Sequence, residues 1–282
     1  MNYIIKKIIK KNIFLAKRDL EKKMMKVGYI YDDITANYLL GDVHEEKIQE
    51  LLRKYIFKKI KLGVSIDIGA HIGSYSIFLS KYFKKVYSFE CNPTTFRILM
   101  LNSELIKNIK TFNLFLSNSN KKIYLEINEL DSGHCYQSKK HSNISIKSVN
   151  TEKFLNHKIK KKIDFIKIDV EGYEADILLS IKNLLIKNKP IILFESLDSE
   201  YYKGSKSSFE VLRKIGYNYF YIPNTPIKIS KKNLIYKIYG KIMLITTYLR
   251  FLIQGLKIVE IKKIEENINY PGIIASFEKL KK

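Results

Sequence analysis

From about residue 60 the chain alternates short apolar runs with segments of helical periodicity. Val64–Ile68, Lys85–Glu90, Lys110–Leu116, Lys121–Asn128, Ile163–Ile168, Pro190–Glu195 and Tyr217–Ile222 are short and rich in β-branched and aromatic residues, which predicts strands. Helical spacing predicts helices over His44–Lys59, Thr94–Leu105, Thr151–Asn156, Ala175–Ile186 and Ser207–Lys214, with one more behind the glycine turn after Ile68. Strands alternating with helices predict an α/β fold: a doubly wound, mostly parallel sheet with helices on both faces. Ligands of such sheets sit outside the carboxyl ends of the strands, so the chemistry is sought there.

Both ends of the chain depart from this alternation. In the opening segment Ile5, Ile8, Ile9, Ile13 and Leu20 recur at helical spacing among lysines, which reads as a basic amphipathic helix. Lys6, Lys7, Lys10 and Lys11 interrupt the apolar run, so no secretory signal is expected. Toward the other end, Ile235, Ile238, Ile242, Ile245, Leu249, Leu252, Leu256 and Val259 keep a spacing of three or four across Leu234–Ile261. That predicts one long amphipathic helix, or two broken near Gly240 or Gly255, packed on the main domain or a homodimer partner or lying on a membrane surface. The closing PGIIASF reads as a last strand paired with Tyr217–Ile222. The expected organisation is a helical segment over 1–60, a core over 61–223, a helical insertion over 224–269, and a terminal strand and tail over 270–282.

Composition changes this picture in two places. The 282 residues carry 51 Lys+Arg against 28 Asp+Glu, a net charge of +23, which invites a nucleic-acid reading. Only Arg18, Arg53, Arg97, Arg213 and Arg250 are arginine, the residue that grips phosphates and base edges by its planar fork. A lysine excess beside many Ile and Asn reads as the composition of an AT-rich genome. The partners left in view are anionic membrane and glycan. Two cysteines, Cys91 and Cys135, exclude a disulfide scaffold and fit a reducing, cytoplasmic compartment. No stretch of about 18 uncharged apolar residues occurs, so no membrane span is expected.

The strand ends are acidic. Asp67-Ile-Gly69-Ala70-His71-Ile-Gly73 joins the first strand to a helix without the G-x-G-x-x-G spacing of dinucleotide binders. Glu90 ends the next strand, where a carboxylate can accept hydrogen bonds from both ribose hydroxyls. Asp67 suits a cationic ammonium group better than a pyrophosphate. An adenosyl ligand with positive charge is S-adenosylmethionine. Asp169 and Glu171 follow the strand that begins at Ile163, with Lys167 two residues before Asp169 as a structural ion-pair partner. Methyl transfer to a hydroxyl needs in-line approach and removal of a proton, so Asp169 is the first candidate for base or orienting group and Glu171 the second. His134, in the predicted loop Asp131–Tyr136, is the candidate acceptor-side base. Asp169 and Glu195 offer oxygen ligands to a cation that nothing in the pattern requires, and no metal is expected.

The runs DIGAHIGSYSIFLS, VYSFECNPTTFRILMLN, DSGH, IDFIKIDVEGYEADIL and PIILFE together resemble the FkbM family of S-adenosylmethionine-dependent methyltransferases, over about residues 45–223. The resemblance implies a class I, Rossmann-like methyltransferase fold and O-methylation of a hydroxyl, commonly on sugars or polyketide-type products. It implies that Asp67, Gly69, Ala70 and Gly73 form the cofactor loop, that Glu90 takes the ribose and that Ser117 lies near the adenine. Asp169 and Glu171 fall in its active-site motif. His71 stands where the family usually has Asn, and would tune the methionine end of the site. Cys91 stands where the family usually has Pro.

The expected function is O-methylation of a carbohydrate or glycolipid hydroxyl in bacterial surface-glycan biosynthesis, in the cytoplasm or on the inner face of the membrane. A nucleic-acid methyltransferase is the weaker alternative within the fold: DVEG stands where amino-methylating enzymes carry D/N-P-P-aromatic, and neither cysteine has a nucleophile's context. A non-catalytic membrane-surface protein is the alternative of another class, supported by the two amphipathic segments.

Overall fold

The computed structural model describes residues 45–58, 62–128, 131–137, 144–196, 207–224, 228–229, 255–264 and 268–280. The opening amphipathic segment and most of Leu234–Ile261 lie outside these residues. The chain forms two compact units, Met1–Glu46 with Leu62–Asn150 and Lys47–Lys61 with Thr151–Lys282.

In the first unit, strands β1 (Val64–Ile68), β2 (Lys85–Glu90) and β3 (Ile109–Asn113) pair in parallel, with Val64 opposite Lys85 and Val86 opposite Ile109. All five β1 residues are buried, Ser65 and Asp67 among them, so the apolar–polar alternation of Val64–Ile68 does not mark a solvent face. Helices Ser74–Ser80 and Pro93–Ser103 are the crossovers. The second starts cleanly because Pro93 occupies its first turn and Asn92 accepts from Thr94 N at 2.9 Å. The predicted strand Lys110–Leu116 is in fact two. The Asn113 amide donates to Glu90 O (2.9 Å) and Cys91 O (3.1 Å), and the chain leaves the sheet there.

After this break β4 (Phe115–Ser117), β5 (Lys122–Asn128), β6 (Asp131–Gln137) and β7 (Ile144–Asn150) build a separate sheet in the order β4-β7-β5-β6. Ile123, Leu125 and Ile146 form its core. The segment expected to be a polar loop around His134 is therefore a strand. Its backbone pairs antiparallel with β5, Glu126 opposite Tyr136, and that pairing overrides its weak strand propensity.

In the second unit β8 (Ile163–Ile168) and β9 (Ile191–Ser196) are parallel. β13 (Ile268–Ser276) runs antiparallel to β9, to β10 (Tyr219–Pro223), with Tyr219 opposite Ser276, and to the two-residue β11 (Lys228–Ile229). Its register shifts between Tyr270 and Ile273, where Pro271 has no amide to donate and a Cβ on Gly272 would lie 2.7 Å from Ile48 Cδ1. The far end of the predicted amphipathic helix is corrected. Gly255 turns at φ +65°, and Ile258–Ile261 form β12, antiparallel to β10. Ile258, Val259 and Ile261 are β-branched, and an open strand edge satisfies their backbone groups better than a last helical turn. The predicted helix Ala175–Ile186 is likewise interrupted, at Ile181, giving Glu174–Ser180 and Lys182–Asn188.

Candidate active site

Asp67 is fully buried near the end of β1. Its Oδ2 accepts from Ser76 Oγ at 2.6 Å, and Ser76 Oγ lies 2.8 Å from Ser88 Oγ. A serine has one hydroxyl hydrogen. With that of Ser76 given to the carboxylate, Ser88 must donate to Ser76. Ser76 lies in the first turn of the helix behind the loop and Ser88 lies on β2, so the acid is fixed by two elements.

The loop itself is built on left-handed backbone. Gly69 has φ +74°, His71 φ +49° and Gly73 φ +101°. Gly69 N and Ala70 N both donate to Phe89 O, at 3.0 and 2.9 Å, and the Asn102 amide donates to Ile72 O at 2.8 Å. Non-glycine residues at such φ values are enriched in Asn and His, which accounts for the exchange at position 71. A Cβ on Gly73 would lie 2.9 Å from Leu99 Cδ1. Gly73→Ala is therefore expected to lower stability by about 1–3 kcal/mol through strain and this clash. Urea unfolding midpoints check it, and an unchanged midpoint would contradict the close packing of the loop.

Glu90 is buried at the end of β2. His71 N donates to its Oε2 at 2.8 Å and Asn92 N to its Oε1 at 2.7 Å. A carboxylate oxygen has two lone pairs. Each oxygen therefore keeps one acceptor position after its backbone bond. Within the loop Asp67–Gly73, Gly69 and Ala70 are thus tied to Phe89 O, His71 to Glu90, and Gly73 N to Ala70 O. Ser117 closes β4, where its Oγ accepts from Ser119 N at 3.1 Å.

The second unit carries Asp169 and Glu171. Lys167, 5% exposed, donates to Asp169 Oδ2 at 2.9 Å, the expected ion pair. Glu171 sits at φ +54° and Gly172 at φ +96°. Glu174, 2% exposed, holds this turn: its Oε1 accepts from Val170 N (2.8 Å) and Gly172 N (3.3 Å). Burial raises the Glu174 pKa. Hydrogen bonds from Val170, its own amide and Gly172 offset part of that, and the charge of Asp169 raises it further. Glu174→Ala is expected to cut turnover about tenfold or more by freeing the Asp169–Gly172 backbone, with Glu174→Gln recovering most of it because an amide oxygen still accepts. Amide exchange at Val170 and Gly172 checks the loosening directly.

His134 lies on β6, and its side chain is outside the described residues. Among the described residues no group of three His, Cys, Asp or Glu side chains is arranged to hold a metal. Sequence reading missed Ser76, Ser88, Asn92, Asn102, Asn113 and Glu174 as supports. Only Asn92, a cap residue before Pro93, left a local signal.

The fold and these strand ends are those of an α/β protein of the doubly wound class. The chain belongs to the FkbM methyltransferase family: the methyltransferase FkbM domain matches residues 67–221. A hexuronic acid methyltransferase, AglP, of Haloferax volcanii is 25% identical over 138 residues, 49% of this chain and 57% of that protein. The chain thus spans little more than half the length of this curated relative. Among solved structures, a methyltransferase FkbM from Methylobacillus flagellatus is 14% identical, with a TM-score of 0.36 over 66% of this chain and 48% of that one. Precorrin-6y C5,15-methyltransferase from Geobacter metallireducens is 13% identical, with a TM-score of 0.43 over 83% and 90%.

Proposed function

We propose that this methyltransferase uses S-adenosylmethionine to methylate a hydroxyl of a carbohydrate, in the assembly of bacterial surface glycans on the cytoplasmic side. The carrying observation is Glu90. Two backbone amides orient its carboxylate and leave one acceptor position on each oxygen, which suits the paired hydroxyls of a ribose. Buried Asp67, held by Ser76, suits the cationic methionine end. The left-handed turns at Gly69 and Gly73 bring backbone rather than side chains to the ligand. Ser117 is assigned to the adenine side. When bound, the cofactor supplies an electrophilic methyl on a sulfonium.

The chain's own work is then orientation and proton removal. Asp169, fixed by Lys167, accepts the acceptor's hydroxyl proton or aligns that hydroxyl. Glu171 and His134 are assigned to the acceptor side. The hexuronic acid methyltransferase relative favours a sugar acceptor.

Isothermal titration with S-adenosylmethionine and S-adenosylhomocysteine tests the cofactor. Folded protein that binds neither in the micromolar range would end this reading. Mass spectrometry of glycans from a deletion strain, compared with its parent, tests the acceptor by the loss of one methyl increment.

A further inference from the structure

The end of the first unit opposite Glu90 carries a surface that methyl transfer does not use. Lys85 opens β2 and Glu90 closes it, so the amino ends of β2 and β3 form a rim at the other end of the strands. Asn108 ties this rim together: its amide donates to Ser80 O and Phe83 O, both at 2.8 Å, and its carbonyl accepts from Val86 N at 2.9 Å. The turns and strand starts bearing Lys84, Lys85, Lys107 and Lys110 are thereby held side by side. Lys85 Nζ reaches Lys107 O at 3.4 Å. Among the described residues none of these four lysines makes an ion pair. Lys85 and Lys110 are brought close by the pairing of Val86 with Ile109 and of Tyr87 with Lys110, and burial, then the charge of Lys110, lowers the Lys85 pKa.

Beside the rim, the helix Pro93–Ser103 and the turn after it expose Met100 (43%), Leu101 (50%) and Leu105 (61%). Leu99 and Asn102 face inward on the same helix, so Met100 and Leu101 lie on its outer side, with Leu105 in the turn beyond it. Glu104 is the one acidic residue between Cys91 and Lys110. Large apolar side chains scattered singly need no explanation, but three within six residues next to unpaired lysines do. Nucleic acid would meet the charge and have no use for the apolar side chains. An anionic bilayer meets both.

We propose that Met100, Leu101 and Leu105, with Lys84, Lys85, Lys107 and Lys110, form a docking surface for an anionic membrane leaflet. It is a different surface from the two amphipathic segments that the sequence suggests, and it stands independently of the methyl acceptor. Docking through it would place the carboxyl end of β2, and Glu90 with it, on the far side from the lipid.

The test is flotation of the full chain with phosphatidylcholine vesicles, with and without about 30% phosphatidylglycerol, at low and high salt. The wild type should float only with phosphatidylglycerol and detach as salt rises. Each lysine near an anionic surface is worth about fivefold in partitioning, so Lys107→Glu with Lys110→Glu should lower the bound fraction at least about tenfold. Leu101→Ser with Leu105→Ser should lower it by about tenfold through lost apolar burial. All four positions are exposed, so circular dichroism should report unchanged folding. Absence of flotation by the wild type overturns the proposal. So does flotation unchanged in both double variants, which would put lipid contact elsewhere in the chain. A wild-type dimer that Leu101→Ser with Leu105→Ser converts to monomer, without lipid binding, overturns it in favour of a second copy. Salt-dependent binding to duplex RNA without flotation overturns it in favour of nucleic acid.

Discussion

Glu90→Ala is expected to weaken binding of S-adenosylmethionine by roughly two to four orders of magnitude. Two hydrogen bonds to a charged acceptor are worth about 1.5–3 kcal/mol each, and about 1.4 kcal/mol is tenfold in affinity. The substitution removes both acceptors and also releases the loop that presents them. His71 N and Asn92 N, now 2.8 and 2.7 Å from the carboxylate, lose their partner, and His71 carries the left-handed turn between Gly69 and Gly73. Glu90→Gln keeps one acceptor oxygen but turns a donor toward one of the two amides, so it should recover only part of the loss. Isothermal titration of both variants decides this. Affinity within about threefold of wild type would remove Glu90 from the cofactor site and leave the family membership standing.

Asp169→Asn is expected to lower turnover by about 10²–10⁴-fold, the usual worth of a positioned base, with cofactor affinity within about threefold. It has a second consequence. Lys167 is 5% exposed and would lose the carboxylate that now lies 2.9 Å from its ammonium. Because Asp169 is partly solvated, the stability loss should stay near 1–3 kcal/mol. Combining Lys167→Met with Asp169→Asn separates the two effects: stability should return while turnover stays low. The readout is the rate at which each variant restores the methyl increment to glycans of a deletion strain. Turnover that returns with stability would reduce Asp169 to a structural partner of Lys167.

Much of the fold was legible because its signals are local. β8 is legible to the residue as Ile163–Ile168, because its three isoleucines and Phe165 make a short β-prone segment even with Asp164 and Lys167 inside it. The helix expected over Thr94–Leu105 runs Pro93–Ser103, starting one residue earlier because Pro93 fits the first turn and Asn92 caps it. The strand holding His134 was not legible. Asp131–Gln137 has no apolar alternation, and its pairing with β5 is set by a partner distant from any motif. The stripe from Leu234 misled at its far end for a related reason: spacing of three or four also fits Ile258–Ile261, and only the edge of β10 made that segment a strand.

The same division runs through the site. The acids at the strand ends, Asp67, Glu90 and Asp169, and the glycines of the loop are readable in one dimension, because a strand end followed by a turn places them whatever surrounds the sheet. What holds each acid is not readable. Ser76 and Ser88 meet Asp67, Asn113 meets the carbonyls of Glu90 and Cys91, and Glu174 folds back on Val170 and Gly172. The first two join elements separated in sequence, and serine and asparagine carry no periodic signature. The sequence alone therefore determined the α/β class, the family resemblance and which carboxylates stand at the strand ends. Only the tertiary structure decided how those carboxylates are held, because a buried hydrogen bond depends on which strands and turns become neighbours.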